Sequence, residues 1–451
     1  MTAPVRGGDL WVRGGLVVGV DGADPRDVLI LGGRVQQVAR KVAAPPGCPS
    51  LDAHGKLVLP GLIDTQVHFR EPGLEHKEDL ASGSLAAIAG GITGFCEMPN
   101  TKPATTDPEK LVDKLRRASG RCRADHAFFL GATKDNADRL GEWETLPGCA
   151  GVKVFMGSST GDLLIEDDAT FERVLRAGRR RVAVHAEDEP RLRERKARFA
   201  TGSSVAQHAD VRDVETALRA TRRLLDLAER TGRPVHLLHV STAEEVALLR
   251  ERRLGSLVTA EVTPNHLFLA APDCYERFGT LAQMNPPVRN ARARDVLRQA
   301  LADGVFACIG SDHAPHTREE KSKPYPDSPS GIPGVQTTLP LLLTAVRDGW
   351  LRLGDVVRFL CTGPIAVYGI EDKGAVAPGS DGDLVLVDPS RTGPLDGSLL
   401  RSKVGWSPYC GVELAGWPVA TVLRGRLAWQ DDRPVGEPGG VPLSFAPPAP
   451  R

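Results

Sequence analysis

Three histidines, one lysine and one aspartate lie in or directly after apolar runs, where a polar side chain needs a partner or a function. Lys153 is the single charged residue of its run, and the others are His68, His185, His239 and Asp312. A buried ammonium group is costly unless something neutralises or uses it. Imidazoles and a carboxylate are ligands of zinc and similar divalent ions. The pattern therefore predicts a metal site, bridged by Lys153 if its amine becomes an anionic carbamate.

The elements that would position these residues follow from eight apolar runs, most of them followed by a helical pattern. The runs begin near Leu57, Ile92, Ala124, Gly151, Arg181, Pro234, Val258 and Val305. Repeated strand–helix alternation predicts an α/β fold, a (β/α)8 TIM barrel. The five residues end strands one, four, five, six and eight, where such barrels carry their chemistry. His126 and His236 lie inside strands, at positions whose sequence parity is opposite to that of the strand-end ligands. Their side chains should therefore face the other side of the sheet, and we expect them to pack against helices.

The flanks of the barrel have a different pattern. Residues 1–58 and 374–435 contain short strands separated by Gly and Pro turns, which predicts one small β-sandwich domain formed by both chain ends. Residues 59–373 would form the barrel. Residues 436–451 are Pro-rich, and we expect this tail to be loosely ordered.

Composition excludes several classes of function. The 451 residues include 57 Lys+Arg and 57 Asp+Glu, and this balance argues against nucleic acid or an anionic membrane as a partner. No stretch approaches the roughly 20 apolar residues of a membrane span, and the first residues lack an apolar signal core. We expect a cytoplasmic protein with a small-molecule substrate. The eight cysteines are scattered and form no C-x-x-C pair, so we expect reduced thiols and assign none to a metal.

Six motifs carry a resemblance to a known family. They are Asp64-Thr-Gln-Val-His-Phe-Arg-Glu-Pro-Gly73, Glu97-Met-Pro-Asn-Thr101, Gly157-Ser-Ser-Thr-Gly161 after the Lys153 strand, His185-Ala-Glu-Asp, His239-Val-Ser-Thr and Gly310-Ser-Asp-His-Ala-Pro-His316. Together they resemble the amidohydrolase superfamily and, within it, the dihydroorotases. The match runs in order from about residue 9 to about residue 430.

The resemblance implies a ligand set for one or two Zn²⁺ per chain. His68 would bind the more buried ion, carboxylated Lys153 would bridge both, and His185 and His239 would bind the second. Asp312 would bind the first ion and act as general base and acid. The residues implied for the substrate are Arg70, Asn100 and His316 at its carboxylate, and Asn285, Ser330 and Gly331 around its ring.

One position departs from the family pattern. The first motif is normally His-x-His, and Gln66 replaces the first histidine. An amide oxygen is a poorer zinc ligand than an imidazole. The first metal is therefore predicted to be weaker, differently coordinated or absent.

The implied reaction is the reversible, metal-dependent cyclisation of N-carbamoyl-L-aspartate to L-dihydroorotate in pyrimidine (UMP) biosynthesis, by a homodimer. One alternative is another cyclic-amide hydrolase, an allantoinase or a hydantoinase/dihydropyrimidinase. The substrates of those enzymes lack the ring carboxylate, so Arg70, Asn100 and His316 would have no purpose. A second alternative, favoured by Gln66, is a non-catalytic homologue associated with aspartate carbamoyltransferase.

Overall fold

The computed structural model describes residues 7–158, 161–199 and 204–448. Both chain ends build one mixed sheet of nine strands, in the order β17-β16-β15-β14-β5-β1-β2-β3, with β4 paired to β1. Its strands are β1 (Leu10–Val18), β2 (Ala23–Leu31), β3 (Arg34–Ala39), β4 (Ser50–Asp52), β5 (Leu57–Pro60), β14 (Leu384–Pro394), β15 (Glu413–Leu423), β16 (Arg426–Gln430) and β17 (Arg433–Pro434). Apolar residues from both chain ends fill a separate core between these strands.

The segment between β5 and β14 forms a barrel of eight parallel strands, paired in sequence order. They are β6 (Leu62–Val67), β7 (Ile92–Glu97), β8 (Asp125–Gly131), β9 (Cys149–Phe155), β10 (Val182–His185), β11 (Val235–Leu237), β12 (Val258–Val262) and β13 (Cys308–Ile309). Past the end of β13, a parallel bridge between Val67 and His313 nearly closes the ring. The predicted fold, a TIM barrel beside a β-domain from both ends, is confirmed.

Helices surround the barrel and cover its ends. They are α1 (Leu80–Ala89), α2 (Pro108–Ala118), α3 (Leu140–Trp143), α4 (Asp168–Ala177), α5 (Glu189–Arg198), α6 (His208–Val211), α7 (Val214–Thr231), α8 (Ala243–Arg252), α9 (Pro264–Phe268), α10 (Asp273–Phe278), α11 (Ala291–Ala302), α12 (Arg318–Lys321), α13 (Thr338–Arg347), α14 (Leu353–Val357) and α15 (Gly363–Tyr368). Within the described ranges, none is long and apolar enough to cross a membrane.

Local sequence explains where the longest of these helices begins and ends. The Asp213 side chain caps α7 by accepting from the Thr216 amide, which satisfies a backbone donor that the helix itself leaves unpaired. Gly232 ends the helix at a φ of 66°, a left-handed conformation that glycine adopts without steric cost.

The first apolar run is divided between the two sheets. It was expected to form one strand, but Gly61 separates β5, in the end sheet, from β6, in the barrel. A Cβ at Gly61 would lie 2.2 Å from the Thr93 hydroxyl oxygen. A glycine is therefore required where the chain passes closely from one sheet to the other.

The C-terminal tail packs against the amino-terminal end of the barrel. The Val441 amide donates to Asp125 Oδ1 at 2.8 Å, and the Leu443 amide donates to the His126 carbonyl at 2.9 Å. The Leu443 side chain is buried in the lower barrel core. The expectation of a loosely ordered tail is therefore wrong for this segment, because its backbone groups find partners on β8. Residues 449–451 lie outside the described residues.

His126 should make the protein sensitive to acid. It packs beside Phe95 and Phe128, and within the described chain its ring nitrogens have no hydrogen-bond partner. Burial lowers the pKa of His126 from 6.5 to about 4. Between these values the unfolded chain binds a proton that the folded protein does not, so stability falls as the pH drops from 6.5 through 4.

We expect His126→Phe to remove up to about 3 kcal/mol of this loss, at roughly 1.4 kcal/mol per pKa unit. Urea denaturation between pH 7 and pH 4 measures the change in unfolding free energy for each protein. The exposed His76→Gln variant is the control. An unchanged pH slope in His126→Phe would contradict the prediction.

Candidate active site

A cavity of about 110 Å³ opens at the carboxyl ends of the barrel strands. Its lining includes nearly every residue that the sequence predicted: Gln66, His68, Arg70, Asn100, Lys153, His185, His239, Asn285, Asp312, Ser330 and Gly331. His316 lies behind this surface, with its Nε2 3.2 Å from the terminal guanidinium nitrogen Nη2 of Arg70. The structure therefore brings the predicted site residues together. Ser159 and Thr160 of the third motif lie outside the described residues.

Four residues around the cavity adopt left-handed backbone conformations that are uncommon away from glycine. The φ angles are 69° at Arg70, 63° at Ser158, 38° at His239 and 49° at Asp312. Such conformations cost free energy and concentrate at functional sites. These conformations turn the chain just after the strands. Within a strand, side chains alternate between its two faces, but this alternation does not continue into the residues after the turn.

His68 and Asp312 bring together two potential metal-ligand atoms, and we term such a pair a donor pair. His68 Nε2 lies 3.2 Å from Asp312 Oδ1, and His68 Nδ1 lies 2.8 Å from Asn100 Oδ1. Because the asparagine oxygen can only accept, Nδ1 carries the proton and Nε2 directs its lone pair toward Asp312. Burial lowers the pKa of His68, which favours the neutral imidazole that a metal requires.

Gln66 joins this pair through its amide nitrogen, not its oxygen. Its Nε2 donates to Asp312 Oδ1 at 3.1 Å. Its Oε1 is buried and has no hydrogen-bond partner in the described chain. Here Gln66 is therefore a hydrogen-bond donor to Asp312.

His185 and His239 form the second pair, with Nδ1 of the former 2.9 Å from Nε2 of the latter. His185 Nε2 lies 2.8 Å from Glu187 Oε2, an arrangement that fixes the tautomer of a metal-binding histidine. Arg212 also pairs with Glu187. Burial opposes the charge on Glu187, but Arg212 and His185 hold its pKa far below the usual range. Sequence analysis missed Glu187 and Arg212, although Glu187 stands two residues after His185.

Lys153 lies in the same cavity with its ammonium group 4.6 Å from the centroid of the Phe155 ring. Across residues 7–158, 161–199 and 204–448, it makes no hydrogen bond or ion pair. Burial lowers its pKa to about 7, so a large share of the amine is neutral at physiological pH. The imidazole and carboxylate donors around it fit a divalent cation of the zinc type.

Arg70 is a buried cation that nearby carboxylates, Asp312 foremost, stabilise only at a distance. It is 7% exposed, its Nε donates to the Pro315 carbonyl at 3.1 Å, and the described residues supply it with no ion pair. Burial lowers its pKa to about 10. His316 Nε2 also lies 3.1 Å from the Ser330 carbonyl oxygen. The Arg70 guanidinium therefore has N–H donors that no described carboxylate accepts, and these donors are available to an anion that enters the cavity.

Lys321 supports the opposite wall of the cavity, and sequence analysis did not find it. Its buried Nζ donates to the carbonyls of Gln283, Pro329 and Gly331 at 2.9, 2.9 and 3.1 Å. His208 is buried, and its Nε2 lies 3.0 Å from Asn285 Oδ1. Both residues hold segments that line the cavity.

Comparisons with known proteins agree with this geometry. Residues 57–428 match the model of the amidohydrolase family. The dihydroorotase of Methanosarcina acetivorans is 36% identical over 92% of this chain and 91% of its own length. The dihydroorotase of Halobacterium salinarum is 37% identical over 90% and 94%. Among solved structures, the L-hydantoinase (dihydropyrimidinase) of Arthrobacter aurescens has a TM-score of 0.91 at 28% identity, covering 97% of this chain and 99% of its own.

The chain therefore belongs to the amidohydrolase family. It is an enzyme of a metal-dependent hydrolase family, and its predicted site residues occupy the carboxyl mouth of the barrel.

Lys321→Met should raise the KM for the amide substrate about tenfold or more while kcat changes less. The variant keeps the apolar stem but loses three charge-assisted hydrogen bonds, each worth about 1.5–3 kcal/mol. Steady-state kinetics with thermal unfolding measures both effects. Lys323→Met removes an exposed lysine two residues away and is the matched control. A fall in kcat at constant KM would mean that Lys321 does not position the substrate-binding backbone.

Proposed function

We propose that this chain is a dihydroorotase, which interconverts L-dihydroorotate and N-carbamoyl-L-aspartate in pyrimidine (UMP) biosynthesis. The chain is a hydrolase acting on cyclic amides. Curated relatives that are 34–37% identical to this chain are named dihydroorotase. With this activity we propose a cytoplasmic homodimer. Its barrel would span residues 61–373 rather than 59–373, because residues 59 and 60 belong to β5 of the end sheet.

The observation that carries this choice of substrate is the buried guanidinium of Arg70. A guanidinium without an ion pair is costly in a desolvated site, and a substrate carboxylate would supply the missing charge in a planar, two-donor contact. Dihydroorotate carries such a carboxylate, whereas hydantoin and dihydrouracil do not. Asn100 and His316 would complete the carboxylate site.

We propose that the two donor pairs hold one or two zinc ions. His68 and Asp312 would hold the first, and His185 and His239 the second, with Lys153 as a carbamate between them. A bound divalent ion supplies polarisation of the amide carbonyl and a water of lowered pKa. The neutral amine of Lys153 is the form that can react with carbon dioxide. The buried Glu187 would keep His185 in its metal-binding tautomer.

Asp312 would move the proton. Its carboxylate would accept a proton from the attacking water and deliver it to the departing ring nitrogen. In the direction of synthesis it would return that proton to the water that leaves. Asn285 and the backbone of Ser330 and Gly331 would hold the ring, and Arg70 would orient it through the carboxylate.

Two alternatives have observations in their favour. The structural neighbours are hydantoinases and dihydropyrimidinases at 25–28% identity, so another cyclic amide remains the second candidate. Gln66 favours a non-catalytic partner of aspartate carbamoyltransferase. Substrate assays separate the three: turnover of dihydroorotate supports the proposal, turnover of hydantoin or dihydrouracil alone supports the second, and no turnover with metal bound supports the third.

Arg70→Met should raise the KM for dihydroorotate by roughly ten- to hundredfold, since each buried charged hydrogen bond is worth about 1.5–3 kcal/mol. Any hydrolysis of uncharged hydantoin or dihydrouracil should change little. Lys102→Met, which removes an exposed cation near the cavity, is the control. Equal losses on charged and uncharged substrates would show that Arg70 only supports the fold.

Gln66→His should tighten the first metal site, because an imidazole is a better zinc ligand than an amide. In the wild type, we expect the site of His185 and His239 to fill at lower zinc concentration. Zinc titration with metal content per chain measures both sites. Gln66→Ala is the control, because it removes the hydrogen bond to Asp312 without adding a ligand. Two equally tight ions in the wild type would contradict the prediction.

A further inference from the structure

A second group of potential metal ligands lies inside the barrel and is separate from the donor pairs of the active site. His236, Glu261 and Cys308 stand on β11, β12 and β13, and all three side chains are buried. His236 was expected to pack against helices, and that expectation is wrong. It pairs in register with Ala183, which itself pairs with Lys153, and residues at one level of parallel strands share a face. His236 therefore faces the barrel interior, as Lys153 does.

The three donor atoms have the spacing of a zinc site. His236 Nε2 lies 3.2 Å from Glu261 Oε2, and Cys308 Sγ lies 3.7 Å from each of these atoms. In a tetrahedral zinc site with bonds of about 2.0–2.3 Å, pairs of such ligand atoms are about 3.3–3.6 Å apart. The triangle thus needs shifts of only a few tenths of an ångström.

Unsatisfied polar atoms around the triangle favour the binding of a cation. Glu261 is fully buried, and its Oε1 has no hydrogen-bond partner within the described residues. The buried Tyr368 hydroxyl likewise has no partner there, and the Tyr368 ring lies edge-on 5.6 Å from the His236 ring. Hydrogen bonds alone leave these groups unpaired, and a buried polar group without a partner is costly.

The neighbouring ring nitrogen of His236 is already fixed in place. His236 Nδ1 lies 2.7 Å from the Thr259 hydroxyl oxygen, which can accept its proton and leave Nε2 as the free ligand atom. This is the orientation that a metal-binding histidine needs.

A cluster of three aspartates at the amino-terminal end of the barrel differs from the triangle of His236, Glu261 and Cys308. Asp125, Asp381 and Asp383 also lie close together, but Lys373 Nζ reaches them at 2.7, 3.1 and 2.6 Å. That group already has its cation. Glu261 has no lysine or arginine partner among the described residues.

We propose that His236 Nε2, Glu261 and Cys308 Sγ bind one zinc ion in the barrel interior, with the Tyr368 hydroxyl as a further oxygen donor nearby. Thiolate, imidazole and carboxylate are all zinc ligands. Binding releases the thiol proton to solvent, and the thiolate and carboxylate then balance the two positive charges of the ion.

The ion would cross-link the shortest strand of the described barrel to its neighbours. β13 has only two residues, Cys308 and Ile309, and pairs with β12 through Glu261 and Val262. A metal shared by β11, β12 and β13 would cross-link these strands four residues before Asp312. Its role is structural, so the inference does not depend on which cyclic amide the enzyme hydrolyses.

The test uses the full-length protein loaded with zinc or cobalt(II). Zinc X-ray absorption should show a zinc–sulfur distance of about 2.3 Å, and the cobalt form should show a thiolate-to-metal charge-transfer band in the near ultraviolet. The active-site donors include no sulfur, so both signals report the interior site. Cys308→Ser should lose the band and about one metal ion per chain. Cys96→Ser, a buried thiol in the same barrel, should keep both.

Three results would overturn the proposal. One is a wild-type protein whose active site is loaded but which shows neither a zinc–sulfur distance nor a charge-transfer band. Another is a band that persists in Cys308→Ser. The third is a band that disappears on replacing Cys48 and Cys410, which are partly exposed. If Cys308→Ser does not fold, X-ray absorption of the wild type decides the question without a variant.

Discussion

The arrangement of the active site depends on the burial of two basic side chains, Lys153 and Arg70, that form no ion pair within the described protein, although nearby carboxylates such as Asp312 favour their charged forms. Removing a charge from water is costly, and an unpaired buried charge is costlier than a paired one. Lys153 responds by lowering its pKa to about 7, whereas Arg70 stays charged because its pKa remains near 10. The neutral amine of Lys153 suits the proposed carboxylation, and the charged guanidinium of Arg70 suits the proposed substrate carboxylate.

The barrel makes this burial tolerable. Its strands and helices form an extensive apolar core, whose burial contributes far more stability than a few unsatisfied polar groups remove. The strands also end together, so short turns with left-handed residues can direct donors from several strands into one cavity. Buried polar groups behind the cavity, such as Glu187, Arg212 and Lys321, then fix the residues that line it.

Gln66 alters the balance between the two donor pairs. As a hydrogen-bond donor, it occupies the Asp312 oxygen that also faces His68 and that a cation would otherwise bind. Among the described residues, the pair of His185 and His239 has no amide donor of this kind, and Glu187 supports it. This asymmetry distinguishes the two proposed metal positions by their chemistry.

The resemblance to the dihydroorotases supplied Arg70, Asn100, Asn285, Ser330 and Gly331 of the cavity lining. The sequence pattern by itself determined the class of fold and five further lining residues, because polar residues that directly follow apolar runs mark the mouth of a barrel. It could not determine side-chain direction where the backbone leaves the strand. His239 follows β11 with a φ of 38°, so counting back by parity from it placed His236 on the wrong face. The sequence also did not predict three long-range features. These are the division of one apolar run at Gly61, the pairing of the tail with β8, and the hydrogen bonds from Lys321 to three carbonyls. Each depends on segments far apart in the chain meeting in space, and only the tertiary structure decides that.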